Sequence, residues 1–116
     1  MTHKDLQLYQ LSLDLVVNVY KLTESFPRNE EFGLISQIRR ASVSIPSNIS
    51  EGASRGSTKD FIRFLNMTSG SLSEVETQLE IAERLKYIEI QDDLKNQILT
   101  IRKMLYRLKE SLKKKV

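Results

Sequence analysis

The chain has 116 residues and a net charge of +3, with 40% hydrophobic and 28% charged residues, a composition typical of one small globular domain. It contains no cysteine, which excludes disulfide bonds and thiolate metal sites. No signal-peptide pattern opens the sequence and no apolar stretch is long enough to span a bilayer, so we expect a cytoplasmic protein without membrane contact.

The first predicted helix covers about residues 4–25 and carries two neighbouring apolar stripes with helical spacing. The first stripe is Leu6, Tyr9, Leu13, Val16 and Tyr20, and the second is Leu8, Leu11, Leu15, Val19 and Leu22. A helix that faces only one small core does not need so wide an apolar surface. The pattern therefore predicts a central position or burial against another subunit.

A break at Phe26 and Pro27 separates this helix from a second one, predicted over about residues 30–53. Asn29 is suited to cap it. Pro46 lies inside the helical pattern, removes a backbone donor and predicts a kink. The many small residues of this segment favour a close approach of a neighbouring helix, and Gly52 and Gly56 bracket its exit.

The third helix is predicted over about residues 58–86, and Ser57 followed by Asp60 is a typical helix start. Apolar residues alternate by four and three from Phe61 to Ala82, which indicates a sustained seam. Gly70 interrupts the helix and predicts a close helix contact.

The fourth helix is predicted over about residues 91–114. Connections this short force consecutive helices to run antiparallel, so the prediction is one all-α domain, an antiparallel up-and-down four-helix bundle. Residues 95–116 carry eight basic residues and one acid, a net charge of +7, whereas residues 1–94 carry −4. This basic end could attract a polyanion. Alternatively, its lysines favour the helix dipole and solubility.

The sequence offers little for catalysis. His3 is the only histidine, so the paired Glu-x-x-His motifs of di-iron bundles are excluded and a serine nucleophile has no suitable base. No glycine-rich loop suits a phosphate. We expect no enzyme activity, no metal and no cofactor.

The stretch from Gln37 to Gly52 is the most unusual, with adjacent arginines, an internal proline and a polar Asn48. In one interpretation Arg39, Arg40 and Arg55 contact phosphates. In the other, these arginines pair with Glu51, Glu74 or a neighbouring subunit, and Asn48 satisfies backbone groups that Pro46 leaves free.

Here the sequence resembles the four helix bundle protein family first known from intervening sequences of bacterial 23S ribosomal RNA genes. The matching residues are Phe26, Pro27, Gly33, Leu34, Gln37, Arg39, Arg40, Ala41, Ser44, Ile45, Pro46, Ser47, Asn48, Ile49, Glu51, Gly52, Arg55, Phe61, Phe64, Leu65, Gly70, Ser71, Leu72 and Glu74. The resemblance implies a homopentamer without enzymatic activity. A related group, the accessory variability proteins of diversity-generating retroelements, binds reverse transcriptase and nucleic acid, so a reverse transcriptase is a conceivable partner.

Two functions remain open. The first is an oligomer that binds RNA or DNA through basic side chains, without base-specific readout because only Tyr106 is interleaved with them. Its candidate residues are Arg55, Arg102, Lys103, Arg107, Lys109, Lys113, Lys114 and Lys115. The second is a protein-interaction scaffold without nucleic-acid contact. The candidate structural or interface residues are Arg39, Arg40, Pro46, Asn48, Glu51, Gly52, Gly70 and Glu74.

Overall fold

The computed structural model describes residues 6–116. Within this range the chain is all-α, as predicted, with one short 3-10 helix and no strand. The helices are α1 (Gln7–Thr23), α2 (Leu34–Ser54), α3 (Thr58–Arg84) and α4 (Asp92–Lys113), and the 3-10 helix is Arg28–Glu30. None of the described helices is both long and apolar enough to cross a membrane. Residues 4 and 5, which were predicted to be helical, lie outside the described residues, as does His3.

The four helices surround one apolar core. Helix α2 contacts α1 and α3, and α4 contacts α3 and α1. The largest fully buried apolar side chains come from all four helices: Leu15, Val19, Ile38, Ile45, Ile49, Leu65, Leu72, Val75, Leu79, Ile101 and Leu105. The seam predicted along α3 is confirmed, because its apolar positions from Leu65 to Ala82 are buried. Burial of apolar surface is therefore what holds these helices together.

The two apolar stripes of α1 have different environments. Leu15 and Val19 of the second stripe are fully buried in the core. Leu13 and Tyr20 of the first stripe remain exposed, as does Val17 beside them. Because Leu13, Val17 and Tyr20 are spaced by four and three, they lie on one side of the helix. We call these three residues the α1 outer patch.

The start of α2 differs from the prediction. The chain first forms the 3-10 helix, in which the Glu30 N–H donates to the Pro27 carbonyl at 3.0 Å. The α-helix then begins at Leu34, whose N–H donates to the Glu30 Oε1 at 3.2 Å. The prediction that Asn29 caps α2 is therefore wrong, because the carboxylate of the next residue, Glu30, accepts from the first N–H of the helix.

Helix α2 continues through Pro46, which is buried. A proline removes the hydrogen bond to the carbonyl four residues earlier, here that of Ser42. The Asn48 Nδ2 instead donates to the Ser44 carbonyl at 2.9 Å. The predicted role of Asn48 is therefore wrong, since it binds a carbonyl that Pro46 does not leave free.

Gly52 and Gly70, of which only Gly70 was predicted to mark a close helix contact, have opposite surroundings. A Cβ built on Gly52 would lie 2.6 Å from the Cβ of Phe64, so α2 and α3 approach closely there. A Cβ on Gly70 would meet nothing within 4 Å, and this residue is exposed. The prediction is wrong for Gly70 within this chain. No side chain is excluded at that position by a neighbour.

Both ends of α3 have defined backbone arrangements. At its start the Asp60 N–H donates to the Ser57 Oγ at 3.2 Å, which confirms the predicted cap. At its end Lys86 has a φ of 65°, and the N–H groups of Lys86 and Tyr87 donate to the carbonyls of Glu83 and Ala82. This pair of bonds is a Schellman motif.

The turn after α3 brings Tyr87 against the connection between α1 and α2. Its ring lies 5.6 Å from that of the buried Phe26, and its Oη donates to the Glu30 Oε2 at 2.9 Å. The same Glu30 carboxylate thus caps α2 and holds Tyr87. Two loops that are distant in sequence are joined at one end of the molecule.

Candidate functional site

The basic residues of α4 are placed by its apolar seam. Ile98, Ile101, Leu105 and Leu112 are buried in the core. Because these positions repeat with helical spacing, the charged residues between them lie on the flanks and on the outside of the helix.

On the flank toward α3, two of the candidate residues contact α3 directly. Arg102 forms an ion pair with Glu76. Lys109 donates from Nζ to the Ser69 Oγ at 2.9 Å. Burial lowers the pKa of Lys109, and the neighbouring positive charge of Lys113 lowers it further. These two side chains already have partners within the chain.

The outer side of α4 presents basic groups that face solvent. Lys103, Arg107 and Lys114 are exposed, and no ion pair of theirs is present in the described part of the chain. Their spacing of four and seven residues places them on one side of the helix. We call these three residues the α4 basic face. Lys113 pairs with Glu110 at 3.3 Å, and Lys115 is exposed after the helix end.

Arg55, the remaining nucleic-acid candidate, directly follows the C-terminal end of α2. It pairs with Glu51 at 2.9 Å, and its guanidinium lies 5.0 Å from the centre of the Phe64 ring. No contact among the described residues joins Arg55 to the α4 basic face. The structure therefore leaves Arg55 apart from the candidates on α4.

Arg39 joins α2 to α1. Its Nε donates to the Thr23 Oγ1 at 2.9 Å and its Nη2 to the Tyr20 carbonyl at 3.3 Å. The guanidinium also lies 4.5 Å from the centre of the Tyr20 ring. Arg39 thus bonds to α1 and not to the carboxylates considered from the sequence, of which Glu51 pairs with Arg55.

A cleft of about 610 Å³ opens between α2 and α3, and we call it the α2–α3 cleft. Its lining residues are Phe32, Ser36, Gln37, Arg40, Ala41, Ser44, Ser71, Glu74 and Gln78. Arg40 and Glu74 both line it, but neither takes part in an ion pair within residues 6–116. The Ser44 and Ser71 hydroxyl oxygens lie 2.6 Å apart and share a hydrogen bond.

Among the cleft residues that were not site candidates from the sequence, Gln78 and Phe32 stand out. Gln78 is buried, and its Oε1 has no hydrogen-bond partner. Phe32 is 92% exposed. The only sequence signals for them were that Gln78 is a polar residue beside the α3 seam and that Phe32 is an aromatic residue beside a glycine. Both patterns are common in helical proteins. Among the described residues, no group of three His, Cys, Asp or Glu side chains could hold a metal ion.

Comparison with known proteins identifies relatives of the chain. None of the curated proteins compared with it matches. A crystal structure of a protein of unknown function from the S23 ribosomal protein family of Bacteroides thetaiotaomicron is 29% identical, with a TM-score of 0.62. The match covers 90% of this chain and 94% of that one. The sequence model described as "23S rRNA-intervening sequence protein" matches residues 4–107. The chain therefore belongs to the 23S rRNA-intervening sequence protein family.

Proposed function

We propose that this chain is a non-enzymatic protein that assembles as a homopentamer and binds structured RNA or DNA through the α4 basic face. The observation that carries this proposal is the set of exposed, unpaired cations on one side of α4. Cations without intramolecular partners are free to contact phosphates and release counterions. In this proposal the protein acts in the cytoplasm.

An antiparallel four-helix bundle is the protomer of this assembly. Between α3 and α4, Ser69 contacts Lys109 and Glu76 contacts Arg102. Between α2 and α3, Ser44 contacts Ser71, and Gly52 approaches Phe64. In both pairs, residue numbers rise along one helix as they fall along the other. This order supports an up-and-down arrangement.

The α1 outer patch supports association between copies. Val17 is 51% exposed, and Leu13 and Tyr20 are exposed on the same side of the helix. Apolar side chains grouped in this way on a surface are a common mark of an interface. Burial against a neighbouring protomer accounts for the exposed residues of the first stripe on a helix whose second stripe already packs into the core.

Light scattering tests the assembly. We expect a mass of five times the 13.4 kDa of the chain. Val17→Glu places a charge in the α1 outer patch and should shift the mass toward that of one protomer. Gln7→Glu makes the same charge change at an exposed position outside the patch and serves as the control. A wild-type mass of 13.4 kDa contradicts the pentamer.

Repetition explains how weak phosphate contacts give useful affinity. A pentamer multiplies the net charge of +3 fivefold and presents five copies of the α4 basic face. Linked sites bind a long polyanion more tightly than a single site does, because later contacts form within one complex. Association should therefore weaken steeply as salt rises.

Fluorescence anisotropy with a structured RNA and a DNA duplex tests the binding. We expect the double variant Lys103→Gln and Arg107→Gln to bind more weakly and to lower the salt slope by at least about two. The control double variant, Lys21→Gln and Lys59→Gln, removes the same charge from α1 and α3. Equal losses in both variants, or an affinity that does not change with salt, would contradict the assignment to α4.

A second candidate function is a protein-interaction scaffold. Leu99 and Tyr106 are about half exposed and are seven residues apart, so they lie on one side of α4. Apolar groups beside cations suit an acidic amphipathic partner, and a reverse transcriptase is one partner that the resemblance suggests. Co-purification of one protein after nuclease treatment, lost in Tyr106→Ser, would favour the scaffold over nucleic-acid binding.

A further inference from the structure

The α2–α3 cleft contains a buried acceptor that has no donor. Gln78 has a relative accessibility of 9%, and its Oε1 makes no hydrogen bond. Buried carbonyl groups are nearly always paired, because an unpaired one loses its bonds to water without replacement. The Gln78 side chain lines the cleft, so a donor bound in the cleft is a candidate partner for this oxygen.

Two acceptors of the cleft lack a donor among the described residues, the Gln78 oxygen and the Glu74 carboxylate. Glu74 contributes a carboxylate that has no cationic partner among the described residues. The Ser44 and Ser71 hydroxyls bond to each other. Arg40 is the one cationic side chain of the lining, beside the neutral Ser36 and Gln37. A ligand that fits this cleft therefore presents hydrogen-bond donors to Glu74 and Gln78 and an acceptor or anion to Arg40.

Phe32 gives the cleft an aromatic surface. It lines the rim and is 92% exposed, so its ring is available for a flat partner. Unpaired nucleobases stack on exposed aromatic side chains, whereas bases within a duplex are already stacked. The guanidinium of Arg40 suits a phosphate or the O6 and N7 of guanine.

We propose that the α2–α3 cleft binds the guanine of a nucleotide or of an unpaired RNA position. Guanine presents a ring N–H and an amino group on one edge, which match the Glu74 carboxylate and the Gln78 oxygen. Adenine and cytosine present only an amino group there, and uracil presents only a ring N–H. The cleft volume of about 610 Å³ lies in the usual range for small-ligand sites.

This inference rests on the proposed nucleic-acid binding and refines it. Tyr106 on α4 was the only aromatic expected near basic residues, and the sequence predicted no base-specific contact. The fold places Phe32 and Arg40 at the same cleft. The α4 basic face then supplies affinity that does not depend on sequence, and the cleft supplies a preference for guanine.

Calorimetric titration of the full chain with GMP, IMP and AMP tests the cleft. IMP differs from GMP only by the missing amino group. We expect GMP to bind at least about tenfold more tightly than either of the others, because a good pair of base contacts gives this discrimination. Short single-stranded RNAs with and without guanine separate the two sources. If the chain binds guanine-containing RNA but not GMP, the ligand of the site is RNA. If it binds both, the site also accepts the free nucleotide.

Variants connect the preference to named side chains. Glu74→Gln and Gln78→Leu should each remove most of the preference for GMP over IMP. Gln78→Leu also removes the unpaired oxygen, so it should fold at least as stably as the wild type, and a loss of binding then does not reflect unfolding. Glu80→Gln changes a carboxylate of the same helix outside the cleft and should leave the preference unchanged.

Three results would overturn the inference. The first is equal affinity for GMP and IMP. The second is no binding of GMP or of any guanine-containing RNA. The third is a change of assembly mass in Phe32→Ala, which would mean that a second copy covers the cleft. If any of these results is found and the wild-type chain still binds structured RNA through Lys103 and Arg107, only the guanine site is rejected. If the wild-type chain binds no RNA at all, the proposed function itself is rejected.

Discussion

Helices α2 and α3 meet in two different ways along one interface. At the closed end, Gly52 allows the backbone of α2 to lie against Phe64. At the open end, Arg40, Glu74 and Gln78 line a cleft. The difference shows how side-chain size divides one helix pair into a tightly packed part and an accessible part. A glycine permits close packing for stability, and longer polar side chains keep a space in which a ligand can bind.

The largest expected effect comes from filling the closed end. In Gly52→Ala the new Cβ would lie 2.6 Å from the Phe64 Cβ, so the helices must move apart. Overpacking of this kind costs about 1–3 kcal/mol in the free energy of unfolding. Urea denaturation monitored by circular dichroism measures it. A stability equal to or above that of the wild type would show that the two helices separate there at no cost.

The same substitution at Gly70 sharpens the comparison. No atom lies within 4 Å of the added Cβ, and alanine favours a helix over glycine. We therefore expect Gly70→Ala to raise the free energy of unfolding by up to about 1 kcal/mol. Denaturation under the same conditions as for Gly52→Ala checks this. A lower stability would instead indicate that another copy of the chain packs on Gly70.

The smallest effect is expected near the open end. Tyr87→Phe removes the hydrogen bond to Glu30 but keeps the ring against Phe26. Stability should fall by less than in Gly52→Ala, because this bond is only partly buried. Thermal denaturation at neutral pH measures the change. An unchanged melting temperature would mean that the bond does not contribute to holding the two loops together.

The same bond predicts a dependence on pH. Hydrogen bonding to the Glu30 carboxylate, then burial and the carboxylate charge, raise the pKa of Tyr87. A raised pKa in the folded state means that the contribution is complete below the unfolded pKa of about 10 and is lost as pH rises through the folded value. The difference between wild type and Tyr87→Phe should therefore shrink above about pH 10. A constant difference up to pH 12 would contradict this.

Local signals predicted much of the fold because they depend on residues close together in sequence. The spacing of Leu65, Leu72 and Leu79 predicted the seam of α3, and Ser57 predicted its start. The start of α2 was not predicted, because both Asn29 and Glu30 suit a cap and only the length of the preceding 3-10 turn decides between them.

The cleft and the glycines show where local signals end. Gly52 and Gly70 look alike in sequence, and only the residue opposite each one distinguishes a contact from open space. That residue depends on the register between α2 and α3, which the spacing within either helix does not define. For the same reason Phe32 and Gln78 could not be assigned to one cleft with Arg40. The sequence predicted the cations of α4 as a group. It did not predict that Arg102 and Lys109 are the ones that bond to side chains of α3.

The Schellman turn at Lys86 limits how the chain can evolve. Because this turn sets the direction in which the backbone leaves α3, the position of Tyr87 relative to Glu30 depends on the exact number of residues at the turn. Inserting or deleting one residue there would point the phenol elsewhere and detach one loop from the other. We expect homologous chains to vary in length more readily after Lys113 than at this turn.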